Sequence, residues 1–130
     1  MCWLNNMATP IVLKKPLRVY KIGISAVFDG FISLYQDFLY LKCRAAPTIK
    51  INPKFIRYYL PISCDESWSN DIFYIYEGYH SYLTKETAKC RSKEYDNIGV
   101  FEIPVGATIY VNYRHKEVVS TDIKYLGLLE

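Results

Sequence analysis

The stretch YEGYHSYLTKETA, residues 76 to 88, brings one of the chain's two histidines next to a serine and among three tyrosines. An imidazole that takes a hydroxyl proton is the working pair of acyl-transfer enzymes. Neighbours on a strand face opposite ways, however, so His80 and Ser81 cannot meet there, and no GxSxG elbow stands nearby. Acyl transfer is left unsupported. Alternation instead gathers Tyr76, Gly78, His80 and Tyr82 on one face and Glu77, Tyr79, Ser81 and Leu83 on the other. The first face suits the stacking of a flat ring such as nicotinamide or a base. It suits equally well, and more simply, packing against a following helix with the tyrosine hydroxyls reaching the surface.

Other chemistries find less. His80 and His115 with Cys64 and Cys90 contain no close ligand pair of the kind that structural zinc uses, so no metal site is expected. SCDESWSND, residues 63 to 71, offers Asp65, Glu66 and Asp71 to a hard cation. It lacks the calcium-loop spacing and the turn glycine, and reads as a solvated loop. Six scattered glycines form neither GxGxxG nor GxxxxGKS, which sets aside P-loop enzymes, kinases and dinucleotide-binding Rossmann domains. No cofactor is expected from the residues alone.

The elements that would position these residues are mostly strands. Residues 18 to 24, within LRVYKIGISAVF, are rich in β-formers. FDGFISLYQDFLYLKC is ambiguous: Asp29-Gly30 is a hairpin signal, whereas Phe28, Phe31, Ile32, Tyr35, Phe38 and Leu39 follow helical spacing, and the helix template fits better. Pro47, Pro53 and Pro61 divide the next stretch into extended pieces. DIFYIYEGYHSYL reads as a strand with Gly78 at a bulge or a close backbone approach. Thr84 is placed to cap a helix running from Lys85 to Tyr95, with Glu86 in its first turn and Lys89, Arg91 and Lys93 toward its end. VFEIPVGATIYVNY, KEVVS and IKYLGLL complete an antiparallel meander.

With 130 residues, 51% hydrophobic and 16% aromatic, the chain has the size of one domain and the composition of a β-rich fold. The expectation is an α+β fold in a single domain, mainly antiparallel sheet with one or two short helices, spanning residues 17–130 behind a partly flexible segment 1–16. A formal charge of +3 is spread along the chain. Nucleic-acid binders concentrate theirs, and the densest basic stretch, Lys85, Lys89, Arg91 and Lys93, reads as a solvated helix face. The four cysteines form no CxxC pair, the start MCWLNNMATPIVLKK lacks an export signal, and the apolar runs are too short to span a bilayer, so a reduced cytoplasmic setting is expected.

The order VYKIGIS, GYHSYLTKETA, VFEIPVGATIYV and KEVVSTDIKYL resembles the skeleton of ADP-ribosyltransferases. That resemblance implies an NAD-binding domain in which Tyr82 or Tyr79 stacks on nicotinamide, Glu117 is the catalytic glutamate and Arg18 is the early-strand arginine. Against that pattern, the early strand has no histidine, the Ser-x-Ser element is missing, and Lys116 stands where a second acid belongs. The C-terminal half is also similar to small accessory proteins of phages and gut-type bacteria, which implies a phage or mobile-element accessory protein acting on a host factor, in the host cytoplasm if phage-encoded, and assigns no residues. The leading expectation is a non-catalytic binding or interaction protein with a protein partner, possible homo-oligomer formation and no membrane. Its ligand-binding candidates are Tyr76, Tyr79, His80 and Tyr82. The alternative is the ADP-ribosyltransferase-like domain, active or degenerate.

Overall fold

The computed structural model describes residues 2–5, 10–35, 38–61, 67–75 and 77–129. Within them the strands are β1 (Cys2–Asn5), β2 (Ile11–Val12), β3 (Leu17–Ala26), β4 (Gly30–Ser33), β5 (Leu39–Tyr40), β6 (Lys54–Pro61), β7 (Ser67–Ile75), β8 (Tyr79–Tyr82), β9 (Asn97–Ile103), β10 (Thr108–Asn112), β11 (Glu117–Ser120) and β12 (Lys124–Leu128). The single helix among them is α1 (Lys85–Arg91). The result is mostly β, with less helix than a balanced α+β fold. No helix of the described residues is long and apolar enough to cross a membrane.

β3 is the longest strand, and its burial alternates: Val19, Lys21 and Gly23 point inward between the more accessible Arg18, Tyr20 and Ile22. It pairs with β9 from Leu17↔Ile103 to Gly23↔Asn97, which sets Val19 beside Phe101 in the core. Its far end turns back into β4 through Phe28 and Asp29, at φ 58° and 55°, closed by a Gly30 N–H to Val27 carbonyl bond of 3.1 Å. Two central residues at positive φ match the right-handed twist of the flanking strands. The hairpin signal was therefore the valid one, and the helical spacing from Phe28 to Leu39 was misleading. Long-range packing decides it: Phe31 is fully buried, edge-on to Phe101 at 5.5 Å and tilted against Tyr125 at 5.4 Å, whereas Phe28 is 91% exposed at the turn.

Strand order in the larger sheet is β12-β9-β3-β8-β11-β10-β2, with β4 attached to β3 and β5 to β4. One core cluster draws Val19, Phe31, Tyr40, Tyr79, Phe101, Ile109, Val118 and Tyr125 from strands along this order, so the sheet curls around them. Residues 43 to 49 run beside the start of β12 and the residues just before it, with bonds from Cys43 N–H to Tyr125 O (2.8 Å), Ala46 N–H to Ile123 O (2.9 Å) and Ile49 N–H to Thr121 O (2.8 Å). The Tyr79 hydroxyl donates to the Pro47 carbonyl and ties this segment to β8. The C-terminal strands do not form the expected meander. β10 and β11 make a hairpin, but β9 and β12 pair with each other on the opposite side of β3.

A second sheet, β1-β7-β6, lies against the outer face of the first. Ile51 and Ile75 pack on Val119 and Tyr110, so β11 is buried on both faces, Val118 inward and Val119 outward. β1 and β2 fall within residues 1–16, the stretch expected to be partly flexible; β1 pairs with β7 and β2 with β10. The expected loop 63–71 lies partly outside the described residues, and from Ser67 onward it is strand β7. The strand expected across Gly78 is two strands in different sheets. Gly78, at φ 103°, is the hand-off between them, and an added Cβ would stand 2.7 Å from Val119 Cγ1.

Gly78→Ala should therefore cost about 2–4 kcal/mol, combining a disfavoured backbone conformation with overpacking. Gly106→Ala, at φ 88° but with nothing within 4 Å of the new Cβ, should cost only about 1 kcal/mol. Urea midpoints of the two variants test this; equal losses would mean that the contact with Val119 contributes nothing.

Candidate ligand pocket between β4, β8 and α1

The site arises where two strands part. β8 meets β3 at a single register pair, Tyr20↔Tyr82, while β4 takes up the same strand from Gly23 onward. Between those contacts the sheet opens. Lys21 Nζ donates to the main-chain carbonyl of His80, so that a side chain bridges β3 to β8 beyond their last pair. A pocket of about 520 Å³ fills the opening. Lys21, Ile22 and Ser81 line it from the sheet, Ser33, Leu34 and Tyr35 from the end of β4, and Arg91, Lys93, Tyr95 and Asp96 from α1 and the turn after it.

Alternation along β8 sends Tyr79 and Ser81 to the buried face and leaves His80 and Tyr82 half-buried on the other. β11 runs antiparallel beside it with Tyr82↔Glu117 and His80↔Val119 in register, so Glu117 shares a face with Tyr82 and lines the same pocket. α1 covers this face. Thr84 caps it as the sequence requires, its Oγ1 accepting from Thr87 N–H at 3.2 Å, but the helix stops at Arg91, short of the expected Tyr95. That end carries Arg91 over the Tyr82 ring, 5.7 Å from its centroid, with Nη1 3.2 Å from Glu117 Oε1. On the pocket wall the Tyr35 ring packs against that of His80, their centroids 4.6 Å apart at 58°.

Of the residues singled out from sequence, His80, Tyr82 and Glu117 meet in this pocket. Tyr79 does not. Its ring is in the core, 1% exposed, because it falls on the inward side of β8, and burial pushes its hydroxyl above the ordinary phenol range, with Asp122 adding to the effect. Arg18 is exposed on β3 and lies outside the lining, two residues beyond the Tyr20 contact. Tyr76 lies outside the described residues. Lys85, Lys89, Arg91 and Lys93 are all exposed, as a solvated face requires, and Arg91 and Lys93 also border the pocket.

Sequence reasoning missed Tyr35 and, above all, Lys21. It is 3% exposed, with Nζ 5.4 Å from the centroid of Tyr40 and 5.7 Å from that of Phe101. Burial pushes its ammonium down from the ordinary lysine value to about 7. The signal was present in VYKIGIS, where alternation puts Lys21 on the side of Val19 and Gly23. Ser81, also on the buried face, has an Oγ with no hydrogen-bond partner among the described residues. No protein-family model matches this chain, and neither does any curated protein or solved structure.

The unfolded chain keeps the Lys21 proton up to about pH 10.4, whereas the folded protein releases it near 7. Between those values the unfolded state binds more protons, so this group makes stability rise with pH; below about 7 the native state carries the whole cost of a buried charge. Lys21→Met should raise stability by on the order of 2 kcal/mol at pH 6, and the advantage should shrink toward pH 10. Urea titrations of both proteins across that range measure it. A difference that does not change with pH would mean that Lys21 is not titrating in the fold.

Proposed function

We propose that the protein is a binding module and that the pocket between β4, β8 and α1 receives its ligand, a small molecule with a flat ring and at least one polar group. The observation that carries this reading is the convergence of aromatic rings from two parts of the chain, Tyr35 after β4 and His80 and Tyr82 on β8, around one cavity that Arg91 and Glu117 border. Concave sites with aromatic walls and a few directed polar groups are where small ligands bind. A volume of about 520 Å³ is in the range of such sites. The rings give stacking area, and the charged pair at the side gives orientation.

A second reading, the ADP-ribosyltransferase-like NAD-binding domain, has one specific observation in its favour. Tyr82, the stacking candidate, and Glu117, the candidate glutamate, are register partners in the same pocket. Arg18, the third member of that set, is exposed and outside the lining. The binding reading requires no such third group.

A titration of the labelled protein with a panel of flat heteroaromatic compounds, nicotinamide, adenine and NAD among them, tests both readings by NMR. Binding in this pocket should move the ring resonances of Tyr35, His80 and Tyr82. Tyr82→Ala should weaken it roughly tenfold, the scale of one lost stacking contact. If no compound moves those resonances, or if those that bind are indifferent to Tyr82→Ala, the pocket is not the ligand site. NAD acting as a substrate would also raise the melting midpoint, and Glu117→Gln would abolish its turnover while leaving binding in place; no shift at millimolar NAD removes the second reading alone.

A further inference from the structure

We propose that Lys21 is an amine nucleophile and that the pocket takes a small aldehyde or ketone, which condenses with Lys21 Nζ to an imine. This rests on the pocket being the ligand site, and it names the chemistry of what enters. The antiparallel register Tyr20↔Tyr82 makes Lys21 and Ser81 the next opposed positions, on the same buried face, and both line the cavity. Two features of these residues are costly unless used. Lys21 is 3% exposed against two aromatic rings, with one hydrogen bond, to the His80 carbonyl. Ser81 is 5% exposed, and its hydroxyl has no partner among the described residues.

An amine in apolar surroundings favours its neutral form, whose lone pair is the nucleophile. The Lys21 value of about 7 agrees with that. The hydroxyl opposite is a donor for the oxygen of a carbonyl placed between them. In the step, the Nζ lone pair bonds to the carbonyl carbon and the C=O π pair moves to oxygen. Nitrogen gives up a proton and oxygen takes one, forming a carbinolamine. A second N–H proton and the hydroxyl then leave as water, giving the C=N bond. One amine and one carbonyl compound yield one imine and one water, with no oxidant or reductant consumed.

Two probes distinguish this chemistry from the ring-binding reading: propanal, which has no ring, and salicylaldehyde, which has one. Each is incubated with the intact protein at pH 7, reduced with cyanoborohydride, and the adducts located by peptide mass mapping. Exposed lysines such as Lys14 and Lys89 serve as the internal references. Lys21 should carry at least tenfold more adduct than either, with a rate that levels off above about pH 8. Ser81→Ala should slow the labelling without abolishing it. Labelling of Lys21 by propanal alone upholds the imine and counts against ring binding. If exposed lysines gain adducts from both probes while Lys21 gains none, the proposal is overturned, and the heteroaromatic titration still judges the pocket independently. The assay needs no Lys21 variant.

Discussion

The site depends on the parting of β3 and β8 after one shared register pair. A sheet that continued its ladder would close this gap with main-chain hydrogen bonds and leave no room for a cavity. Here β4 has taken over the same strand from Gly23, so β3 serves two neighbours in succession. The gap is bridged by Lys21, whose ammonium bonds the His80 carbonyl. A long flexible side chain spans a distance that a strand N–H cannot, at the cost of placing a desolvated amine among aromatic rings. The opening and the buried amine are thus one feature of the fold.

What holds the gap in shape is packing on both sides of it. On the β4 side, Phe31 is buried against Phe101 and Tyr125, and its ring occupies the space that a Cβ on Gly23 or Gly99 would take. On the β8 side, Tyr79 and Val118 face one core while Val119 faces another, so β8 and β11 are held from both faces. Burying a large aromatic or aliphatic side chain contributes about 1.5–3 kcal/mol, whereas an exposed ion pair such as Arg91 with Glu117 contributes less than about 1. The two cores therefore set the geometry of the pocket. The charged pair sits on a frame that is already fixed.

The parts legible in the sequence were those with a local cause. Thr84 as a helix cap needs only its own side chain and the N–H of Thr87, and the faces of β8 follow from alternation alone. Helical spacing over residues 28–39 failed because the burial of Phe31 and Tyr40 is decided by Phe101 and Tyr125, far away in sequence. The meander failed for the same reason, since nothing near β12 says that it returns to β9 rather than to β11. The site was half visible. His80 and Tyr82 came from the alternation of one strand and Glu117 from the family resemblance, but Lys21, Tyr35 and Arg91 reach it from elements whose placement is tertiary.

The polarity of the pocket follows its depth. Near its mouth Arg91 is 45% exposed, so its pairing with Glu117 is screened by water and exchangeable for contacts to an entering group. At its base Lys21 and Ser81 are almost wholly shielded, and interactions there are little screened. On the proposed binding reading, a ligand would gain little energy from charge at the entrance and more from stacking on the rings along the wall. Its selectivity would be set at the bottom, where an amine and a hydroxyl must both be satisfied or left unpaired. Discrimination of that kind penalises the wrong molecule more than it rewards the right one. A pocket with few polar groups, placed deep, can therefore be selective without an extensive hydrogen-bond network.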